Sequence, residues 1–593
     1  MCGIVGYLGQ QNARPIVIGG LRRLEYRGYD SAGVSLFDPQ RGRHRVFKEK
    51  GTIDNLEHIL DVGTTHVGIG HTRWATHGRV TRENAHPHVS QEGRFIVVHN
   101  GVIDNHHALK KRYLDGLSLD GDTDTEVVAN LIEAFARKLP VETALREVLK
   151  ELEGSFALLV VDASDPTRMY AAKHKSPLLI GTAEDGITVG SDLMALIDVA
   201  DAYLALQDGT FVRIEAQSFR VHDLEGRPLE YTLEPIEHDV IDPEKGEYEH
   251  FMLKEIHEQP AVIRRLVGEY LEGSAFRFNE ALLDKLKGAS RVHILAAGTS
   301  MHAGLIARTA FERIANLPAE VHIASEFAYH PPLLSDAPYF VLISQSGETA
   351  DLRACLQRIQ SSGHPSLTIT NVPTSTLARE ADDYLEIHAG PEIAVASTKA
   401  YTAQITVLLL LAHALGGRPA GVKEELAKAA HAIEGLLDNQ KRMQELVKPL
   451  AEREHAFYIG RGLDYAVGLE AALKLKEISY IHTEGFAAGE LKHGTLALIE
   501  EGTPVIALLT SPHIAENTRN SIAEVESRGA RTLIISTREV ARAEDDVILE
   551  PLDPLFAPLV SVVPTQLVAY YAALKRGHDI DKPRNLAKSV TVE

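Results

Sequence analysis

One pattern occurs twice in the second half of the chain and limits its fold more than any single motif. Val292-His-Ile-Leu-Ala-Ala-Gly298 resembles Ala456-Phe-Tyr-Ile-Gly-Arg-Gly462, and Phe340-Val-Leu-Ile-Ser344 resembles Ile506-Ala-Leu-Leu-Thr510. The first pair is offset by 164 residues and the second by 166. Two landmarks at nearly one spacing mark an internal duplication. Each copy reads strand, glycine turn, helix, strand, hydroxyl-rich turn, helix, strand, which is the pattern of a parallel α/β sheet. Such sheets bind ligands beyond the carboxyl ends of their strands, where these turns lie. The first copy is the richer in hydroxyls there.

The duplication leaves some 230 residues before it. They hold short apolar runs of β character at Ile4 to Leu8, Gly33 to Phe37, His66 to Ile69, Phe95 to His99 and Phe156 to Val161, with helical periodicity at Ile16 to Leu24 and Thr125 to Arg137. An α+β sandwich fits. From Glu234 to Glu258 the chain turns polar and acidic, with Pro235, Pro243, Gly246 and Pro260 as breakers, and reads as a linker. A length of 593 residues accommodates three or four cores of ordinary size.

The balance of 61 basic against 82 acidic residues, a formal charge of −21, disfavours nucleic acid and anionic membranes as partners. An anionic substrate must then be held by hydroxyls and backbone N–H groups. Cys2 and Cys355 are the only cysteines, which excludes a disulfide framework and points to a reducing compartment. The first residues carry no basic leader, and the apolar run Ile405 to Leu415 is too short for a bilayer. A cytoplasmic location is expected.

Cys2 follows the initiator methionine, whose removal would place a thiol beside an α-amine, so that one residue could supply nucleophile and base. A buried, inert cysteine is the alternative. Gly70-His-Thr-Arg-Trp-Ala-Thr-His-Gly78 reads as a short loop after a strand, bearing a guanidinium, two hydroxyls and the only tryptophan; Asn100-Gly101 ends another strand, and Asp122-Thr-Asp124 precedes a helix. Hydrolysis of glutamine needs a carboxylate for the substrate ammonium, an arginine for its carboxylate and donors aimed at the oxyanion. With Cys2-Gly-Ile-Val-Gly6, Arg23-Leu-Glu-Tyr-Arg-Gly-Tyr-Asp-Ser-Ala-Gly33 and His99-Asn-Gly101, these segments resemble the N-terminal-nucleophile glutaminase domain, an αββα sandwich. The resemblance implies that Cys2 attacks the glutamine amide, that Asn100 and Gly101 form the oxyanion hole, and that Arg73 and Asp124 grip the charged ends of glutamine. It also implies loop contacts from Thr76 and His77, and Trp74 as a gate for ammonia. His71, His77, His86 and His88 could suggest a metal, but no thiolate or carboxylate lies at supporting spacing, and hydrogen bonding is the expected role.

Ser344-Gln-Ser-Gly-Glu-Thr349 follows an apolar strand and opens a helical pattern, so its hydroxyls and N–H groups should converge at a helix N-terminus. Helix capping alone could explain this turn, but Gly298-Thr-Ser300 strengthens the case. Both turns resemble those of the sugar isomerase, or SIS, domain. That resemblance implies phosphate contacts from Ser300, Ser344, Gln345, Ser346 and Thr349, and sugar contacts from Thr299, Val395 and Ser397. The family often has cysteine where this chain has Ala297.

In Leu469-Glu-Ala-Ala-Leu-Lys-Leu-Lys-Glu477, Glu470, Lys474 and Glu477 share one helical face. A solvated ion-pair stripe is one reading. The neighbouring Gly489-Glu-Leu-Lys-His-Gly494 and Pro583-Arg-Asn-Leu-Ala-Lys-Ser-Val-Thr-Val-Glu593 favour chemistry by their match to the family. The roles implied are Glu477 as the base of isomerisation, His493 as the ring-opening proton shuttle, Lys588 as Schiff-base amine, and Glu470 and Lys474 as support.

The two halves in this order resemble amidotransferases that make glucosamine 6-phosphate. Residues 1–233 would be the glutaminase domain, 234–280 a linker and connecting helix, 281–425 and 445–582 two SIS-type parallel α/β sandwiches, and 583–593 a catalytic tail. L-Glutamine and fructose 6-phosphate are the implied substrates, with no cofactor and no metal, in a homodimer. A deglycase or other amino-sugar-phosphate enzyme of this architecture, and a non-enzymatic sugar-phosphate sensor, are the alternatives.

Overall fold

The structure, a computed structural model, describes residues 2–75, 78–236, 245–273, 275–438 and 440–591. They divide into two compact units, residues 1–242 with 589–593, and residues 243–588.

The first unit is built on two antiparallel sheets. One has eight strands, with Gly3–Gly9 at its interior between Gly186–Gly190 and Val67–Arg73, followed by Ser31–Asp38 and Arg43–Lys50. The other has six, including His88–Val89, Phe95–Ile103, Gly154–Asp162 and Met169–His174. Alternation along each strand sends one set of side chains between the sheets and the other set outward. Ile4, Leu8, Val67 and Ile69 meet Ile96, Val98, Leu159 and Val161 in the inter-sheet core. On the outer faces, the helix Ala13–Leu24 covers Val5, Tyr7, Val34 and Leu36, while the helices Asp124–Ala136 and Val141–Glu151 cover Phe95, Val97, Leu158 and Val160. The order helix, sheet, sheet, helix is the expected αββα sandwich. Strands apolar on both faces explain why their sequences read as continuous runs.

The second unit contains two five-stranded parallel sheets of matching topology. In spatial order the first runs Ala319–Ile323, Arg291–Ala296, Pro338–Ile343, Ser366–Thr370 and Asp383–Glu386. The second runs His482–Ala487, His455–Gly460, Pro504–Leu509, Arg531–Thr537 and Val547–Leu549. Each places its chain-first strand second in space, so the turns after the first and third strands lie together at one carboxyl edge. The helices Lys399–Leu415, Leu463–Ser479 and Ala557–Arg576 join one apolar core with both sheets. Ala557–Arg576 is long and apolar enough to cross a bilayer, yet its apolar window is 94% buried within the protein.

The polar stretch read as a linker to Glu258, with Pro260 as a breaker, gives way to a helix at Phe251 that runs through Pro260 to Tyr270. A proline withholds the N–H that the carbonyl four residues back would accept. Here that carbonyl, Ile256 O, accepts Gln259 Nε2 at 3.0 Å, so the side chain replaces the missing backbone donor. The apolar face of Met252, Ile256, Ile263 and Leu266 then holds the helix in the core.

Candidate active sites

In the first unit Cys2 immediately precedes the strand Gly3–Gly9, whose neighbour Val67–Arg73 pairs Gly3 with Thr72. That register sets the thiol beside the strand's exit. Trp74 N–H donates to Cys2 Sγ at 3.3 Å, and Sγ lies 3.5 Å from Trp74 O. Burial pushes the Cys2 thiol up, while the Trp74 N–H and the nearby Arg73 guanidinium work the other way.

Asn100 Nδ2 donates to the Cys2 carbonyl at 3.0 Å. Buried His71 fixes that amide's orientation: its Nε2 lies 2.9 Å from His99 O and 3.1 Å from Asn100 Oδ1, two acceptors that require the proton on Nε2. Burial lowers His71 to about 3, so the ring is neutral. Gly101 has φ +131°, and a Cβ there would fall 2.0 Å from Ser155 O, so only glycine fits.

Both strands extend further than their apolar patterns, with Arg73 closing one and Asn100-Gly101 lying inside the other. Pairing of Ser31 with Arg73 and of Gly101 with Phe156 carries the ladders past the apolar residues. Asp124 is the first residue of its helix, not a residue before it; its carboxylate accepts Ile103 N at 2.8 Å and Thr125 N at 2.9 Å. Arg73 is nearly fully buried and donates to Gly78 O and Arg79 O at 3.3 and 3.4 Å. Thr76 and His77 lie outside the described residues. His71, His86 and His88 are packed ring against ring; His86 Nδ1 accepts His99 N–H at 3.3 Å, and His88 Nε2 lies 3.0 Å from Thr123 Oγ1.

In the second unit, Gly298-Thr-Ser300 opens the helix Gly298–Arg313 directly after the strand Arg291–Ala296. The Ser344–Thr349 turn joins Pro338–Ile343 to the helix Ala350–Ser361. Ser344 Oγ lies 2.9 Å from Thr349 Oγ1 and accepts Gly347 N–H at 3.0 Å; Ser346 Oγ accepts Glu348 N–H at 3.2 Å. Asn371 N–H donates to Gln345 O at 3.0 Å, and Gln404 Nε2 donates to Ser300 Oγ at 3.0 Å. Gly347 has φ +64°, and a Cβ would sit 1.9 Å from Ser375 Oγ. This hydroxyl-rich turn at a helix N-terminus suits an anion without a cation of its own.

Glu470, Lys474 and Glu477 share the helix Leu463–Ser479. They are not a solvated stripe: Glu470 and Lys474 are buried and the Glu477 side chain is 19% exposed. Lys474 Nζ lies 2.6 Å from Glu477 and 3.5 Å from Glu470. Burial alone would lower Lys474; Glu477 and Glu470 reverse that and hold it above its ordinary value. Glu470 also accepts Thr299 Oγ1 at 3.0 Å and lies 2.7 Å from His302 Nδ1, which ties the second copy to the hydroxyl turn of the first. Burial raises Glu477, against the pull of Lys474 and of Lys588 nearby.

Lys588 Nζ donates to Ala394 O at 2.8 Å and pairs with Glu392, a carboxylate the motif reading missed. Fully buried, Glu392 also accepts Ser397 Oγ at 2.8 Å, Thr398 N at 2.9 Å and Ala400 N at 3.0 Å. Although burial would raise it, Lys588 and these donors hold it well below the usual carboxylate range. The Val395–Ser397 loop and Lys588, far apart in sequence, thus meet on one acid; Val395 itself bonds Asp581 O through its N–H at 3.0 Å. A lone acid in the apolar stretch Ile387 to Ala396 was the available signal. His493 sits exposed on the turn Glu490–His493, and among the described residues no hydrogen bond or ion pair joins it to this cluster.

These two constellations define a two-part enzyme of the amidotransferase class. The glutamine amidotransferase domain model matches residues 71–198, and the SIS domain model matches residues 285–414 and 449–576. The chain belongs to the glutamine–fructose-6-phosphate aminotransferase (isomerizing) family: it is 50% identical over 606 residues to the protein of that name from Listeria innocua, and 51% identical over 604 residues to that from Geobacillus kaustophilus. Both alignments cover 100% of each chain. Among solved structures, the C-terminal domain of glucosamine-fructose-6-phosphate aminotransferase from Francisella tularensis matches with a TM-score of 0.55 and 34% identity, covering 57% of this chain and 100% of that one.

Proposed function

We propose that this chain transfers the amide nitrogen of L-glutamine to D-fructose 6-phosphate and isomerises the product, giving D-glucosamine 6-phosphate and L-glutamate, the first step of the hexosamine pathway. Full-length identity of about one half to enzymes of that name carries the reading. A thiol held beside Trp74 and Asn100 and a buried lysine–carboxylate cluster beside hydroxyl-lined turns support it.

With Met1 removed, the Cys2 α-amine takes the thiol proton and the thiolate attacks the glutamine amide, releasing ammonia and leaving a thioester that water hydrolyses. Asn100 Nδ2 and Gly101 N–H stabilise the oxyanion. Arg73 and Asp124, with Thr76 and His77, hold the substrate's charged ends, and Trp74 gates ammonia. In the second unit Ser300, Ser344, Gln345, Ser346 and Thr349 hold the phosphate, and Thr299, Val395 and Ser397 the sugar. His493 opens the ring. Lys588 condenses with the C2 ketone, losing water, and ammonia then displaces the lysine. Glu477 moves a proton between C1 and C2, with Glu470 and Lys474 setting its position. Glu392 anchors the Lys588 ammonium until sugar arrives. The working form is a cytoplasmic homodimer.

The test is incubation of purified protein with glutamine and fructose 6-phosphate, followed by identification of the products. Glucosamine 6-phosphate and glutamate are expected. Deamination of glucosamine 6-phosphate without glutamine-dependent synthesis would favour a deglycase, and sugar-phosphate binding without turnover would favour a sensor.

A further inference from the structure

Away from both constellations, three side chains converge at the edge of the first parallel sheet. Strand Arg291–Ala296 pairs with the edge strand Ala319–Ile323 so that His293 is opposite Glu320 and Leu295 opposite His322. Parallel register puts His293, Glu320 and His322 on one face. His293 Nδ1 lies 3.0 Å from His322 Nε2, Glu320 Oε2 lies 3.8 Å from that His293 nitrogen, and 3.6 Å separates it from His322 Nε2. A circle through these three atoms has a radius of about 2.0 Å, while zinc-to-nitrogen and zinc-to-carboxylate bonds run about 2.0–2.2 Å. A cation near the triangle's centre would reach all three without moving the backbone.

We propose that His293, Glu320 and His322 form a three-ligand site for a divalent first-row transition cation of the zinc class. Two imidazoles and one carboxylate match that class and not magnesium or calcium, which prefer all-oxygen shells. The carboxylate is free to serve: Arg291 pairs with Glu320 Oε1, leaving Oε2 toward the histidines. A metal takes imidazole in its neutral form. Each ring can carry its proton on the far nitrogen, so both lone pairs can face the cation with no change in net charge.

Among the described residues the remote Nε2 of His293 is buried with no hydrogen-bond partner, so no contact draws the ring's other nitrogen away from the cluster. His293 is buried against Phe340, whereas His322 and Glu320 are 19% and 41% exposed, so the cation would enter from solvent and a water could complete a tetrahedron. Binding would clip the edge strand to its neighbour.

The test uses full-length, tag-free protein, stripped with chelator, in a Cys2→Ser background that removes the thiol as a competing ligand. Calorimetric titration with Zn²⁺ and absorption titration with Co²⁺ should show one saturable site per chain, unaffected by millimolar Mg²⁺, with a raised melting midpoint. His322→Gln should weaken binding by at least the roughly 100-fold that loss of even an outer-shell partner can cost. Glu320→Gln should weaken it less, and neither should lower the unliganded melting midpoint appreciably, since both side chains are partly exposed. Binding unchanged in His322→Gln, or no saturable binding in the parent, would overturn the site.

Discussion

Lys588 Nζ is bonded to Glu392, an acid that three further hydrogen bonds and complete burial make a fixed anchor rather than a mobile counter-ion. Breaking a buried pair by removing one charge leaves the other uncompensated, at a cost of about 3–5 kcal/mol. Glu392→Gln should therefore lower amino-sugar synthesis about 10-fold to 100-fold and reduce the thermal stability of the second unit, yet leave glutamine hydrolysis near its unstimulated rate. Parallel assays of glutamate and amino sugar check this. Equal loss of both would assign Glu392 a general structural role.

The hydroxyl turn makes a separate prediction. Ser346→Ala combined with Thr349→Ala removes two neutral donors, each worth about 1 kcal/mol and more against a charged phosphate. Fructose 6-phosphate affinity should fall about 10-fold to 100-fold, with basal glutaminase retained. Calorimetric titration reads the affinity directly, and an unchanged value would move the phosphate elsewhere.

Much of this was legible in the sequence. The repeated apolar strands ending at Gly298 and Gly462 were sufficient to place two parallel sheets, because a strand buried on both faces writes itself as a continuous run. The stripe Glu470, Lys474 and Glu477 was visible too, but not its burial, which depends on Thr299 and His302 from the other copy. Glu392 escaped because a single acid has no spacing to read. Strand ends read at Ile69 and Gly101 came too early, because pairing, not hydropathy, continues those strands to Arg73 and Ile103. Pro260 misled because a side chain, Gln259, supplies the hydrogen bond that a proline ordinarily forfeits.

Trp74 covers the thiol through its own backbone, and its ring meets Tyr29 edge-on at 6.0 Å. Ammonia released into water is largely protonated and no longer a nucleophile, so a gate at this position would govern coupling. Trp74→Ala should keep substantial glutamine hydrolysis but yield glutamate in excess of glucosamine 6-phosphate. A product ratio of one in a folded variant would end the gating idea, and joint loss of both activities with a lowered melting curve would make Trp74 a packing residue.

The buried histidines predict acid sensitivity. His44 is lowered to about 4 and His71 to about 3, with His86 and His88 well below their ordinary value, all chiefly by burial. Unfolded histidine titrates near 6.5, so below that pH the unfolded chain binds more protons than the folded one. Stability is then fully present above about pH 6.5 and falls as pH drops toward the folded values, by up to about 1.4 kcal/mol per pH unit for each ring. The first unit should melt lower at pH 5 than at pH 7, and His88→Gln should flatten that slope. Superimposable slopes for the two proteins would contradict the assignment.

The most direct test follows the nitrogen itself. Purified protein, confirmed by mass spectrometry to lack Met1, is given glutamine labelled with ¹⁵N at the amide, together with fructose 6-phosphate, beside a Cys2→Ala variant supplied with either that glutamine or unlabelled ammonia. If Cys2 frees the nitrogen that reaches the sugar, the parent gives ¹⁵N-glucosamine 6-phosphate and glutamate in equal amounts, the variant with glutamine gives neither, and the variant with ammonia gives unlabelled amino sugar. Labelled amino sugar formed by the Cys2→Ala variant, or glutamate formed by the parent with no label reaching the sugar, would contradict it.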